Sequence, residues 1–181
     1  VAADVVDRVL GAAPADLRGL MLRAHLEQAR ASFPAATATL ALLADHPEAS
    51  VEQQERALLE LGDIQASKFG DLEAAWSTAS RLHALEPSGS ESLEQRLRLF
   101  ELVEDHRAAA ATLRKLAAQP DTLGPVRTRC LLRLARIEDE RLDDAAAAIA
   151  TLTEITADDC RETVLVRLLA LADRSGRWDL A

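Results

Sequence analysis

Leu61-Gly62-Asp63-Ile64, followed by Phe69-Gly70-Asp71-Leu72-Glu73-Ala74-Ala75 and then by Leu82 and Pro87, is the stretch whose reading decides the fold. Gly62 puts a small residue inside an apolar run with helical spacing. Gly70-Asp71 breaks that run and supplies a side chain able to cap the helix that follows. Ala75 is a small residue early in the second run, Leu82 lies seven positions on, and Pro87 stops it. The segment therefore reads as helix, turn, helix, stop.

The same frame recurs on both sides. It appears as Ala24, Ala31 to Ala36, Leu40 and Leu43; as Leu97, Glu104 to Ala109, Leu113 and Leu116; as Ala135 to Ile137, Asp143 to Ala148, Leu152 and Ile155; and as Leu169, then Gly176-Arg177-Trp178 to Ala181. The early alanines Ala36, Ala75, Ala109, Ala148 and Ala181 are separated by 39, 34, 39 and 33 residues. A further step of 34 backwards reaches Ala2, followed by Val6, Val9 and Pro14. Breaks recur with the frame, at Gly11 to Pro14, His46-Pro47, Glu86 to Gly89, Gln119-Pro120, Ala157 to Asp159 and Ser175-Gly176. No segment alternates with the period of a strand, and self-similarity at this spacing is the mark of a repeat array.

Composition agrees with helices. The 181 residues are 49% hydrophobic and 28% charged, and only 3% aromatic, with Gly 7 and Pro 6. That excludes collagen, a disulfide scaffold, a disordered tail and a loop-rich β domain. Lys+Arg 21 against Asp+Glu 30 gives a net charge of −9, which argues against a chain-wide nucleic-acid surface. The longest uncharged stretch, Ala31 to Ala44, contains Pro34 and is too short to cross a bilayer, so no membrane insertion is expected. Lysine occurs only at Lys68 and Lys115. The excess of Arg and Ala suggests a GC-rich genome, and with two scattered cysteines a bacterial cytoplasmic setting is expected.

The residues Leu61, Gly62, Gly70, Asp71, Ala75, Leu82 and Pro87, with Gly176, Arg177 and Trp178, resemble the tetratricopeptide repeat family over nearly the whole chain. The resemblance implies an all-α fold, a right-handed α-solenoid of stacked antiparallel helical hairpins. It divides the chain into units at about 1-14 (partial), 16-47, 51-87, 90-119, 124-159 and 162-181 (partial), a fragment of a longer array. A hairpin of this size cannot bury both faces alone, so the leucines are expected to pack against the next hairpin. The alanine runs 108–111 and 145–148 are expected at tight contacts, and His106 shares the packing position of Leu72 and Trp178. Caps are expected at Ser50 with Gln53, at Ser88 with Glu91, and at Asp71.

Chemistry is sparse. His25, His46, His83 and His106 form no metal-ligand pair, so no metal is expected. Cys130 and Cys160 stand 30 residues apart and read as inert. The acidic run Glu138 to Asp144 lacks the spacing of a calcium loop. No nucleophile elbow or phosphate loop is present, and neither catalysis nor a cofactor is expected.

In the family the first helices line a concave groove. Transferred to this frame, the groove candidates are Arg18, His25, Gln28, Arg56, Asp63, Ala66, Glu94, Arg98, Glu101, Arg129, Arg136 and Asp139. Nine basic residues lie between Arg96 and Arg136, against Glu101, Glu104, Asp105 and Asp121. Arginine forks hold carboxylates bidentately, so the expected partner is a protein or peptide, and an acidic one. The family members that bind chaperone tails use two asparagines, and this chain has none. The expected function is a non-catalytic interaction scaffold. Alternatives are the sensor or scaffold arm of a larger enzyme and a self-assembling array joined end to end.

Overall fold

The structure is a computed structural model and describes residues 8, 11, 13, 16–87, 89–120, 124–155 and 161–175. Expectations placed on Ala2, Val6, Val9, Pro14, Ser88, Asp121, Ala157 to Cys160 and Gly176 to Ala181 lie outside the described residues. The described residues form nine α-helices and no strand. They are α1 (Leu17–Ala29), α2 (Phe33–Ala44), α3 (Val51–Ile64), α4 (Leu72–His83), α5 (Ser90–Leu102), α6 (His106–Ala117), α7 (Gly124–Glu140), α8 (Ala145–Thr153) and α9 (Arg161–Ser175). A π-helical turn, Gln65–Phe69, extends α3.

The chain divides into two compact units, 1–104 and 105–181. The division falls inside the unit expected at 90-119, between α5 and α6. In the first unit α1 packs on α2, α2 on α3 and α3 on α4, while α5 meets both α3 and α4. In the second, α7 packs on α6 and α8, and α9 on α8.

Four turns share one backbone register. Each has a residue in the left-handed region, namely Ala31, Gly70, Glu104 and Asp143. The next residue is the N-cap of the following helix: Ser32, Asp71, Asp105 and Asp144. The three aspartates accept from Ala74, Ala108 and Ala147 N–H at 2.9–3.0 Å, while Ser32 makes no such bond and is followed by Pro34 in the first turn. Four residues past each cap stand Ala36, Ala75, Ala109 and Ala148, and all four have zero exposure. Four residues further lie Leu40, Ala79, Leu113 and Leu152, all buried. The alanine that aligned the sequence is therefore the point at which the second helix leaves no room for a larger side chain. Within the runs 108–111 and 145–148 only Ala108, Ala109 and Ala148 are buried, so propensity rather than contact accounts for the exposed Ala111 and Ala146. Leu72 is exposed and His106 half-buried, so theirs is not a core position.

A polar clasp recurs with the turn, and sequence reading overlooked it. A buried threonine follows each of these four alanines by three residues: Thr39, Thr78, Thr112 and Thr151. Thr39 donates to Glu27 Oε2 (2.7 Å), Thr78 to Gln65 Oε1 (2.7 Å) and Thr151 to Glu138 Oε2 (2.6 Å). The backbone carbonyls of those same three residues accept from the cap N–H groups of Ser32, Asp71 and Asp144 at 2.8–2.9 Å. One residue thus closes the turn with its main chain and ties the helix pair with its side chain. At Thr112 the register position holds Phe100 instead, and the hydroxyl donates to Ala108 O in its own helix at 2.8 Å.

The alternating step of 39 and 34 has a structural cause. From helix start to clasp position, α1 runs 17 to 27 and α5 runs 90 to 100, whereas α3 runs 51 to 65 and α7 runs 124 to 138. Alternate first helices are one turn longer. The turns after the long helices also hold one residue more, which in α3 takes the form of the π-helical turn.

Only Gly70 meets the left-handed requirement with glycine, at φ +66°, and a Cβ there would touch nothing. Gly70→Ala is therefore expected to lose about 1 kcal/mol of stability from backbone strain alone, measured by urea unfolding. An unchanged midpoint would refute the assigned conformation. At the start of α3, Ser50 and Gln53 form the expected capping box, with bonds of 3.2 and 2.8 Å.

Candidate functional site: clefts between the first helices

The first helices run parallel to one another within each unit. Gln53 Nε2 lies 3.7 Å from Met21 Sδ near the helix starts, and Gln28 Nε2 donates to Glu60 Oε2 at 2.7 Å near their ends, which aligns α1 with α3. Glu55 meets Ser92 near the starts of α3 and α5, and a Cβ at Gly62 would come within 2.8 Å of Leu99 near their ends. In the second unit Arg174 pairs with Asp139, and Arg167 Nη1 donates to Leu132 O at 3.5 Å, which aligns α7 with α9.

Between α3 and α5 lies an open groove of about 1190 Å³. Buried Glu55, Leu59, Ser92 and Leu99 form its floor. Glu55 is held there by Arg96: the two side chains are 2% and 4% exposed, and Ser92 also donates to Glu55. Arg96 Nη1 donates to Leu82 O (3.0 Å) and Leu85 O (2.8 Å), filling the carbonyls at the end of α4. Arg96, counted in the basic zone by sequence, is therefore an internal strut, because an unpaired guanidinium could not be buried at this depth.

The walls bring together five of the expected residues, Gln28, Arg56, Asp63, Arg98 and Glu101. His25 stands beside them, with Nε2 3.1 Å from Arg56 Nη2, and Arg56 Nε donates to Glu60 Oε1 at 2.9 Å. Arg18 is exposed and lines neither this groove nor the cleft of the second unit. With Glu55 neutralised by Arg96, the lining still holds five carboxylates, those of Glu52, Glu60, Asp63, Glu91 and Glu101, and two guanidiniums, those of Arg56 and Arg98. An acidic partner, expected from the arginine zone, is disfavoured here by like charge.

The second unit has a smaller cleft of about 320 Å³, between α7 and α9, containing the expected Arg136 and Asp139. Arg129 is exposed on α7 and lies outside it. Arg167 and Arg174, which sequence reading did not single out, complete the lining with Glu140 over buried Ala135, Leu152 and Leu171. Their spacing of seven residues puts both on one helix face, a signal present in the sequence but hidden because the frame there was carried by Leu169 alone.

Much of the remaining basic zone is engaged. Arg114 Nη2 donates to Glu138 Oε1 and to Thr151 Oγ1, both at 2.9 Å, and Nη1 donates to Glu154 Oε1 at 3.3 Å. Arg127 lies 3.7 Å from Glu154 Oε2. His46 is buried and its Nδ1 accepts from Glu48 N–H at 3.2 Å, a structural role. Among the described residues no three His, Cys, Asp or Glu side chains cluster as a metal site, and no helix is long and apolar enough to cross a membrane. No family model, curated protein or solved structure matches the chain.

Proposed function

We propose that the chain is a non-catalytic protein–protein interaction module, a tetratricopeptide-like right-handed solenoid that presents the clefts between its first helices to a peptide or a partner helix. The observation that carries this reading is the groove between α3 and α5. Its volume of about 1190 Å³ exceeds the roughly 300–1,000 Å³ of small-molecule sites, and charged side chains form its walls where such sites are mostly apolar. An open furrow along parallel helices suits an elongated ligand held by its side chains.

The test is selection of peptides from a display library on the immobilised chain, followed by affinity measurement against Gln95→Trp and Ala170→Trp. Each substitution places an indole in one cleft at an exposed position. Selected peptides are expected to lose at least tenfold in affinity for one of the two variants, with helicity unchanged by circular dichroism. Peptides indifferent to both variants would end the groove reading. Self-assembly is a second reading, favoured by exposed Leu165, Val166 and Leu169 on α9, and sedimentation of the same preparations separates the two.

A further inference from the structure

We infer that the cleft between α7 and α9 recognises the carboxylates of an acidic segment of a partner protein. The inference rests on the proposed role of the clefts as interaction surfaces and assigns this one its ligand chemistry.

Three guanidiniums, those of Arg136, Arg167 and Arg174, line the cleft. The Asp139 carboxylate is taken by Arg174. Arg167 donates to a backbone carbonyl, and among the described residues no carboxylate pairs with Arg136. Glu140, exposed at the C-terminal end of α7, also lines the cleft, so three guanidiniums face two carboxylates there and the lining keeps a net positive charge.

The stripe continues beyond the cleft. Arg129, Arg133 and Arg136 follow one another at four and three residues on a single face of α7, and Arg167 and Arg174 lie seven apart on α9. The parallel alignment of the two helices sets these rows side by side. Buried Ala135, Leu152 and Leu171 make an apolar floor, where a charged hydrogen bond is stronger than in open water. The volume, near the lower bound of about 300 Å³ for ligand sites, admits the carboxylate ends of one or two side chains. Guanidinium forks match that planar group bidentately.

Chain-wide charge points to the same place. Residues 1–104 carry 17 Asp+Glu and 9 Lys+Arg, whereas residues 105–181 carry 13 and 12. An acidic segment is repelled by the first unit and meets the arginine rows in the second.

The test is fluorescence anisotropy with three labelled probes: a heptapeptide of paired glutamates separated by serines, its lysine twin, and a seven-nucleotide thymidine strand. The glutamate peptide is expected to bind the intact chain and to bind Arg136→Gln/Arg167→Gln at least tenfold more weakly. Arg18→Gln/Arg107→Gln removes the same charge at exposed positions elsewhere and is expected to change binding by less than twofold, with both variants equally helical. Equal losses in the two variants would reduce the effect to general attraction and overturn the inference. So would absence of glutamate-peptide binding, or tighter binding of the thymidine strand. If the glutamate probe fails while displayed peptides still depend on Gln95→Trp or Ala170→Trp, only the carboxylate chemistry falls; if both fail, the interaction reading falls with it.

Discussion

Arg96→Met is expected to destabilise the protein by about 3–5 kcal/mol, because it leaves the Glu55 carboxylate buried without its counter-charge. The effect is large for two reasons found at one side chain. Arg96 neutralises Glu55 between α3 and α5, and it also fills the Leu82 and Leu85 carbonyls at the end of α4. The double variant Glu55→Leu/Arg96→Met removes the stranded charge together with its partner. It is expected to recover more than half of the loss, with a residual deficit of about 1–2 kcal/mol from the two carbonyls left without their donor. Urea unfolding of the three proteins measures this order. A single variant within 1 kcal/mol of the parent, or a double variant less stable than the single, would show that the buried pair does not hold the hairpins in register.

Phe100→Ala is the second large effect, at about 3–5 kcal/mol. The ring is among the largest fully buried side chains and meets His83 edge-on, with centroids 6.0 Å apart. Truncation removes the apolar area and leaves a cavity that packed helices fill only in part. Leu102→Ala, two residues away on an exposed face, is the matched control and is expected to change stability by less than about 0.5 kcal/mol. A Phe100 variant no worse than the control would mean that the α5 core is looser than its burial indicates.

The helices and their turns were legible because their signals are local. The cap aspartates, Gly70 and the zero-exposure alanines each do their work within a few residues of where they stand. The groove was legible in part, since Arg56, Asp63, Arg98 and Glu101 share a face once the helical frame is right. What remained hidden was pairwise. Arg96 and Arg98 are alike as letters, yet one is buried against a carboxylate 41 positions away and the other is exposed. The sign of the groove's charge depends on which helices adjoin, and that depends on the first-helix pairing. The clasp threonines recur in the same frame as the alanines, three residues on, but their chemistry stayed hidden because the partner of each lies 12 or 13 residues back, across the turn, and differs in type between Glu27, Gln65 and Glu138.

The alternation of long and short first helices has a consequence for what counts as the repeating unit. A single hairpin does not map onto the next without inserting or deleting five residues, but every landmark maps onto another 73 residues along: Ala31 onto Glu104, Gly70 onto Asp143, Ala36 onto Ala109, Ala75 onto Ala148, Thr39 onto Thr112, Thr78 onto Thr151, Gln65 onto Glu138. The chain keeps time in pairs of hairpins, like a two-beat measure, and Glu27 onto Phe100 is the note that changes. Deleting one hairpin would make two first helices of equal length follow one another along the sequence, whereas deleting 73 residues would leave the alternation of long and short intact.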